Sequence, residues 1–267
     1  MQADLVIIKG AGELASGVGA CLHSVGFRVL MTEISMPLAI RRTVCFSEAI
    51  YDGQATVEGI VARRADSADD IHTILGRDEI AVLVDPEAKI RTQIAPLAVI
   101  DAIMAKKNLG THITDAPIVI ALGPGFVAGR DAHAVIETNR GHHLGRIIWE
   151  GTAQPDTGIP APVEGRASER VLRAPADGII RWHNAIGDLV QAGQCLGELA
   201  GSPIVAPFTG VLRGAIRDGI PVTAGMKIGD VDPRQERSTC FTISDKARAV
   251  AGGTLQALLM LMRRLQL

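Results

Sequence analysis

A 26-residue stretch near the C-terminus of this chain occurs twice. Ala174–Leu199 aligns without a gap onto Ala206–Val231 at an offset of 32 residues. Nine of the aligned pairs are identical: Ala174/Ala206, Pro175/Pro207, Gly178/Gly210, Arg181/Arg213, Gly187/Gly219, Val190/Val222, Ala192/Ala224, Gly193/Gly225 and Gly197/Gly229. Two copies are too few for a solenoid. Short β-type runs between glycine turns instead predict two half-barrels closing about a pseudo-twofold axis, which removes the free sheet edges of each half.

The unit resembles the biotinyl/lipoyl-type fold, a barrel-sandwich hybrid. The resemblance rests on A-P-x-x-G followed by Gly187-Asp188-Leu189-Val190-Gln191-Ala192-Gly193-Gln194-Cys195-Leu196. Carrier domains of that type hold their acceptor lysine on the hairpin between the halves. Here that segment, Ala200–Val205, has no lysine. The expectation is a scaffold or docking surface without biotin or lipoate.

The chain has 267 residues, enough for two cores. It is 47% hydrophobic and 21% charged, which is globular. A net charge of −2 leaves no basic footprint for nucleic acid, and 3% aromatics leave few platforms for stacking bases. No apolar run reaches the ~18 residues that cross a membrane, and no basic, signal-like segment precedes the first strand. The four cysteines form no CxxC, so neither a zinc site nor a disulfide framework is indicated, and a cytoplasmic setting is expected.

Residues 1–150 read as a Rossmann-like α/β domain with a parallel sheet. The apolar run Leu5–Ile8 leads into Gly10-Ala11-Gly12-Glu13-Leu14-Ala15, a G-x-G-x-x-A. A helix follows, then a strand, Phe27–Met31, ending at Glu33. That order is the one a dinucleotide-binding unit requires. Gly10 would form the tight turn, Gly12 and Ala15 would bring backbone close to a pyrophosphate at the helix N-terminus, and Glu33 would meet ribose hydroxyls. The alternative is a doubly wound core with a glycine-rich turn, which Glu13 favours by placing negative charge beside the phosphate position.

The alternation continues with a strand at Thr56–Val61, a helix at Ala68–Leu75 capped by Ser67, and a strand at Ile80–Val84 before Asp85. Leu97–Met104 leads to Lys106 and Lys107, and Ile118–Leu122 leads to the Gly123–Gly125 loop. Ligands of open α/β sheets bind beyond the carboxyl ends of strands. Glu33, Asp85, Lys106, Lys107 and the loop of Gly123 and Gly125 are therefore candidates for one crevice.

Arg130–Arg146 holds Asp131, His133, Glu137, Arg140, His142, His143 and Arg146. On a helix, His133 and Glu137 would share a face and could hold a metal, but Ala134–Ile136 fits a strand at least as well. The segment reads as a polar or anion-binding wall, with Arg140 and His142 in it, or as a solvated loop. Arg41 and Arg42 could pair with phosphates through their planar forks, or face solvent. No G-x-S-x-G is present, and Cys45 and Cys240 read best as buried small side chains.

In combination these motifs resemble the YqeB-type proteins, described as accessory proteins of selenium-dependent molybdenum hydroxylases. The matching blocks include Ile8–Gly17, Ile40–Val44, Val82–Pro86, Asp101–Gly110, Ala116–Phe126, His133–Gly145, Ile159–Pro160, Ile228–Arg234 and Cys240–Gly253. The chain is also distantly similar to xanthine dehydrogenase accessory factors. The resemblance implies a maturation factor acting on a molybdenum hydroxylase client. Such a factor would bind a nucleotide or molybdopterin-type phosphate ligand, with NAD(P) and molybdopterin cytosine dinucleotide as the dinucleotide candidates. The competing classes are an NAD(P)-dependent oxidoreductase and a non-catalytic adaptor with a vestigial Rossmann fold.

The expected organisation is an α/β domain (1–150), a linker (151–169), the duplicated β-barrel (170–235) and a C-terminal helix (240–267). That helix starts at Ser244 and carries Leu255, Leu258, Leu259, Met262 and Leu265 on one stripe. It is expected to pack back on the α/β domain or to form an interface between copies of the chain.

Overall fold

The computed structural model describes residues 2–156, 158 and 162–266. Pro160 and the Ile159–Pro160 block lie outside them. The described chain divides into two compact units. The first comprises residues 1–37, 45–157 and 243–267; the second comprises 38–44 and 158–242.

The first unit is a nine-stranded, mostly parallel sheet. Its strands are β1 (Gln2–Lys9), β2 (Arg28–Glu33), β3 (Gln54–Val57), β4 (Ile60–Ala65), β5 (Ile80–Val84), β6 (Pro96–Asp101), β7 (Ile118–Leu122), β8 (Ala134–Ile136) and β9 (Ile147–Ile148). Their spatial order is β3-β4-β5-β2-β1-β6-β7-β8-β9. From β4 across to β8 neighbours run parallel, and antiparallel β3 and β9 close the two edges. The chain leaves β1 toward β2 and later returns to β1's other side as β6, so the strand order reverses between them.

The helices are α1 (Glu13–Ser24), α2 (Ala49–Asp52), α3 (Ala68–Leu75), α4 (Arg91–Ile94) and α5 (Asp245–Leu265). Ser67 caps α3 by accepting the Asp70 amide. Ile71, Ile74 and Leu75 of α3 join Leu5, Ile7, Leu30, Val99, Val119 and Val135 in one buried cluster. On the other side, α1 meets the sheet at Gly19, against Met31 and Ile8. The continuous apolar runs of the central strands follow from this covering of both faces.

Two local expectations need correction, and one open alternative is decided. Thr56–Val61 is not one strand but the β3–β4 hairpin, folded at Glu58 (φ 48°) and Gly59 (φ 86°). Two consecutive positive φ values are what a tight type I′ hairpin turn requires. Between the helix and the strand left open for His133 to Glu137, the strand holds: Ala134–Ile136 forms β8, as β-branched residues favour. On α5 the expected stripe is displaced. Leu259 and Leu265 are about half exposed, while Ala247, Val250, Ala251, Gly253, Thr254, Ala257, Leu258 and Leu261 are buried. Small residues form that face because α5 approaches its neighbours closely. A Cβ on Gly253 would overlap the Gly145 carbonyl oxygen. α5 thus packs on the α/β unit.

The second unit is built of antiparallel sheets. Its strands are β10 (Val171–Arg173), β11 (Gly178–Ile179), β12 (Arg181–Trp182), β13 (Leu189–Val190), β14 (Cys195–Leu199), β15 (Ser202–Val205), β16 (Gly210–Ala215), β17 (Pro221–Val222) and β18 (Lys227–Asp232). The two sequence copies pair reciprocally. Gly178 and Ile179 register with Val222 and Pro221, and Val190 and Leu189 register with Gly210 and Val211. The Gly187 and Gly219 amides donate to Leu212 and Ile180, and the Gly193 and Gly225 amides donate to Ala206 and Ala174. Each contact has its counterpart at the 32-residue offset. An ion network, buried except at Arg234, joins Arg170, Arg213, Asp230, Asp232 and Arg234 in this unit. Among the described residues no helix is long and apolar enough to cross a membrane.

Candidate functional site

The Gly10–Glu13 turn connects β1 to α1 where the strand order reverses. Gly10 has φ 93°, and a Cβ there would lie 3.1 Å from the Ala102 carbonyl oxygen, so the turn needs glycine. Its amide donates to the Thr32 carbonyl at 2.7 Å. Below it, the Ser16 hydroxyl donates to the Ala11 carbonyl and accepts the Phe46 amide, while Ala15 is fully buried. Gly12 is different. It is the N-cap of α1, extended at φ −73°, with no side-chain cap, and a Cβ there would meet nothing within 4 Å. The helix N-terminus therefore opens on free space at Gly12.

Glu33, at the end of β2, turns back onto this loop. Its carboxylate accepts the Ala11 amide at 2.9 Å and the Ile34 amide at 2.8 Å. Burial raises its pKa above the ordinary carboxylate value, more than the two amides lower it.

Directly under the turn lies a polar row that the sequence reading missed. Lys9 ends β1 and registers with Thr32 of β2 on one side and Asp101 of β6 on the other. All three are at most 2% exposed. The Lys9 ammonium donates to the Thr111 hydroxyl at 2.5 Å, which donates to Asp101 at 2.5 Å, and Lys9 Nζ lies 3.6 Å from the carboxylate. Among the described residues the buried Thr32 hydroxyl has no hydrogen-bond partner. The missed signal was a lysine closing an apolar strand immediately before G-x-G; burial almost never takes a lysine without a partner.

The other expected residues are distributed along the carboxyl edge of the sheet. Asp85 follows β5 and accepts the Ile90 amide at 2.8 Å, closing a local turn. Lys107 lies in the loop after β6; its backbone nitrogen would be 2.6 Å from a Cβ on Gly125, so the β6 and β7 loops touch through glycine. Gly123 (φ 73°) abuts Thr138, just beyond β8. Lys106 pairs with Asp156 at 2.5 Å. Buried Glu137 accepts the Asn139 and Gln154 amides. Arg140 clamps Asp245 at the start of α5 with two bonds of 2.6 and 2.9 Å. His142 stacks edge-on with His143 in an exposed turn. His133 accepts the Val119 amide through Nδ1, and its burial lowers its pKa. Among the described residues no group of three or more His, Cys, Asp or Glu could hold a metal ion.

Arg41 and Arg42 belong to the second unit. Arg41 donates to the Thr239 and Thr242 carbonyls, and Arg42 donates to that of Ala215. Burial pushes the Cys240 thiol up, more than Arg41 and Arg213 bring it down. Cys45 is buried as well.

No family model matches the chain. Over 261 residues, or 98% of its length, it is 50% identical to the uncharacterised protein YqeB of Escherichia coli strain K12. The chain is a homologue of that protein. It spans 48% of that relative's length. Solved structures give weaker likenesses. The ectoine utilization protein EutE (DoeB) of Ruegeria pomeroyi is 12% identical, with 85% of this chain and 57% of that one covered at a TM-score of 0.24. A succinylglutamate desuccinylase from Silicibacter sp. TM1040 is 10% identical, with 86% and 84% covered at a TM-score of 0.26. Scores this low carry nothing about fold or activity.

Proposed function

We propose that this chain is an accessory protein in the maturation of a selenium-dependent molybdenum hydroxylase, and that it binds the phosphate of a nucleotide- or molybdopterin-type ligand at the Gly10–Glu13 turn. The reading treats the first unit as Rossmann-like and the second as a barrel-sandwich hybrid that docks a partner. The observation that carries it is the α1 N-terminus. Its glycine cap opens on free space at the point where strand order reverses, which is where open α/β sheets take ligands. The hydroxylase client and the link to selenium come from the resemblance to YqeB-type proteins. Glu33 favours this reading over an NAD(P)-dependent oxidoreductase: the residue that would meet ribose hydroxyls is already bonded to Ala11 and Ile34.

The test is thermal-shift titration with NAD(H), NADP(H), nucleoside triphosphates and molybdopterin cytosine dinucleotide. A ligand at 100 times its Kd stabilises by about 2.7 kcal/mol, which a melting curve resolves. Gly12→Asp is expected to abolish the shift. Aspartate is a good N-cap, and the space at Gly12 is open, so the variant keeps its unliganded melting temperature. Unchanged ligand affinity in Gly12→Asp would place the site elsewhere. Retention of a molybdenum hydroxylase on the tagged chain checks the client half of the reading.

A further inference from the structure

We propose that a cavity between the β5–α4 segment and the β6–β7 loop binds a small organic anion, a carboxylate or phosphate on an apolar body. The cavity measures about 480 Å³ and is lined by Glu87, Lys89, Arg91, Thr92, Leu109 and Gly110. That volume is within the range of small-molecule sites. None of these residues belongs to the Gly10–Glu13 turn, so the site is separate from the one proposed above.

The β6–β7 wall is braced before any ligand arrives. Asn108 Oδ1 accepts the Gly110 amide at 2.9 Å and the Thr111 amide at 2.7 Å, and Asn108 Nδ2 donates to the Thr111 carbonyl at 2.8 Å. The Thr111 hydroxyl is tied in turn to Lys9 and Asp101. Leu109 nevertheless stays 50% exposed, and a Cβ on Gly110 would meet nothing within 4 Å. A fixed loop thus presents an apolar side chain and open backbone to the cavity, which lowers the ordering cost of binding.

The facing wall supplies hydrogen-bond donors. A guanidinium carries five N–H groups. Arg91 Nη1 donates to the Glu87 and Ala88 carbonyls at 3.3 and 3.0 Å, and Nη2 lies 3.1 Å from the Asp115 carboxylate. These three contacts hold the fork in place and leave two N–H groups for a ligand. Asp115 does not line the cavity. The Lys89 ammonium is 3.1 Å from Glu87, with the two side chains 74% and 69% exposed. So exposed a pair contributes little and yields readily to a ligand. Glu87 is the only carboxylate among the lining residues. Two cations with donors to spare favour charge-assisted bonds to carboxylate or phosphate oxygens over a neutral acceptor. Leu109 favours an apolar body behind that group.

The experiment titrates the full, isotope-labelled chain with phenyl phosphate and phenylacetate, using benzyl alcohol as a neutral body of similar size, and follows backbone amides by NMR. Saturable shifts are expected at Arg91, Leu109 and Gly110 with either anion, and weaker binding of the alcohol by about tenfold or more. Lys89→Glu reverses the charge of an exposed side chain, so the fold is kept; it is expected to weaken both anions by about tenfold or more. Leu109→Ser is expected to remove the advantage of phenyl phosphate over inorganic phosphate. Gly12→Asp should change none of these affinities. Equal affinity for the alcohol, wild-type affinity in Lys89→Glu, or anion-induced shifts confined to the Gly10–Glu13 amides would each overturn the proposal. Anion binding at Leu109 and Gly110 without any nucleotide-induced thermal shift leaves this site standing and removes the nucleotide reading.

Discussion

Lys9, Thr111 and Asp101 place a hydroxyl between two opposite charges in the driest part of the first unit. Removing one charge from such a pair strands the other, which costs more than the pair contributes. Lys9→Met is expected to destabilise the protein by about 3–5 kcal/mol in urea unfolding. Adding Asp101→Asn to it should recover a large part of that loss; no recovery would mean that the lysine's packing, not its charge, matters. Glu33 works in the opposite direction. Its folded pKa is raised, so its ionisation costs the folded state. The penalty is absent below the unfolded carboxylate pKa, grows as pH rises to the folded value, and is constant above it. Glu33→Gln keeps an oxygen for the Ala11 amide and removes the charge. Its melting temperature is expected to exceed the wild type's at pH 7, with the difference closing as pH falls through the carboxylate range. A variant less stable at every pH would refute this sign.

Among the elements, α3 was readable because apolar period and caps agree, with Ser67 before it and a glycine after it, and the central strands because their apolar runs are continuous. The β3–β4 hairpin was not, because its turn at Glu58-Gly59 interrupts an otherwise β-like run by only two residues. The face of α5 was misread for a physical reason. Apolar periodicity ranks large side chains first, whereas close helix packing selects small ones. Gly253→Ala tests that contact. Its methyl group would enter the Gly145 carbonyl, so a loss of roughly 1–3 kcal/mol, read as a lower melting temperature, is expected from overpacking. The same substitution at Gly252, where a Cβ meets nothing within 4 Å, should leave stability level or slightly improved. Equal effects at the two positions would show that α5 is not held closely at Gly145.

At the scale of the molecule, the internal duplication was legible in full. The strand starts at 178, 189 and 195 recur at 210, 221 and 227, and the interstrand bonds obey the same offset. Repetition in sequence must become repetition in structure when both copies bury the same positions. The glycine turn, the alternation of strand and helix, and the existence of a carboxyl edge were determined by local pattern alone. What tertiary structure decided is who meets whom along that edge. It set Lys9 between Thr32 and Asp101, turned Glu33 onto the glycine loop, gave Arg41 and Arg42 to the second unit, and brought Asp245 of α5 to Arg140. These are contacts between residues tens to hundreds of positions apart. No periodicity encodes them, because strand order and burial are properties of the packed chain and not of any window along it.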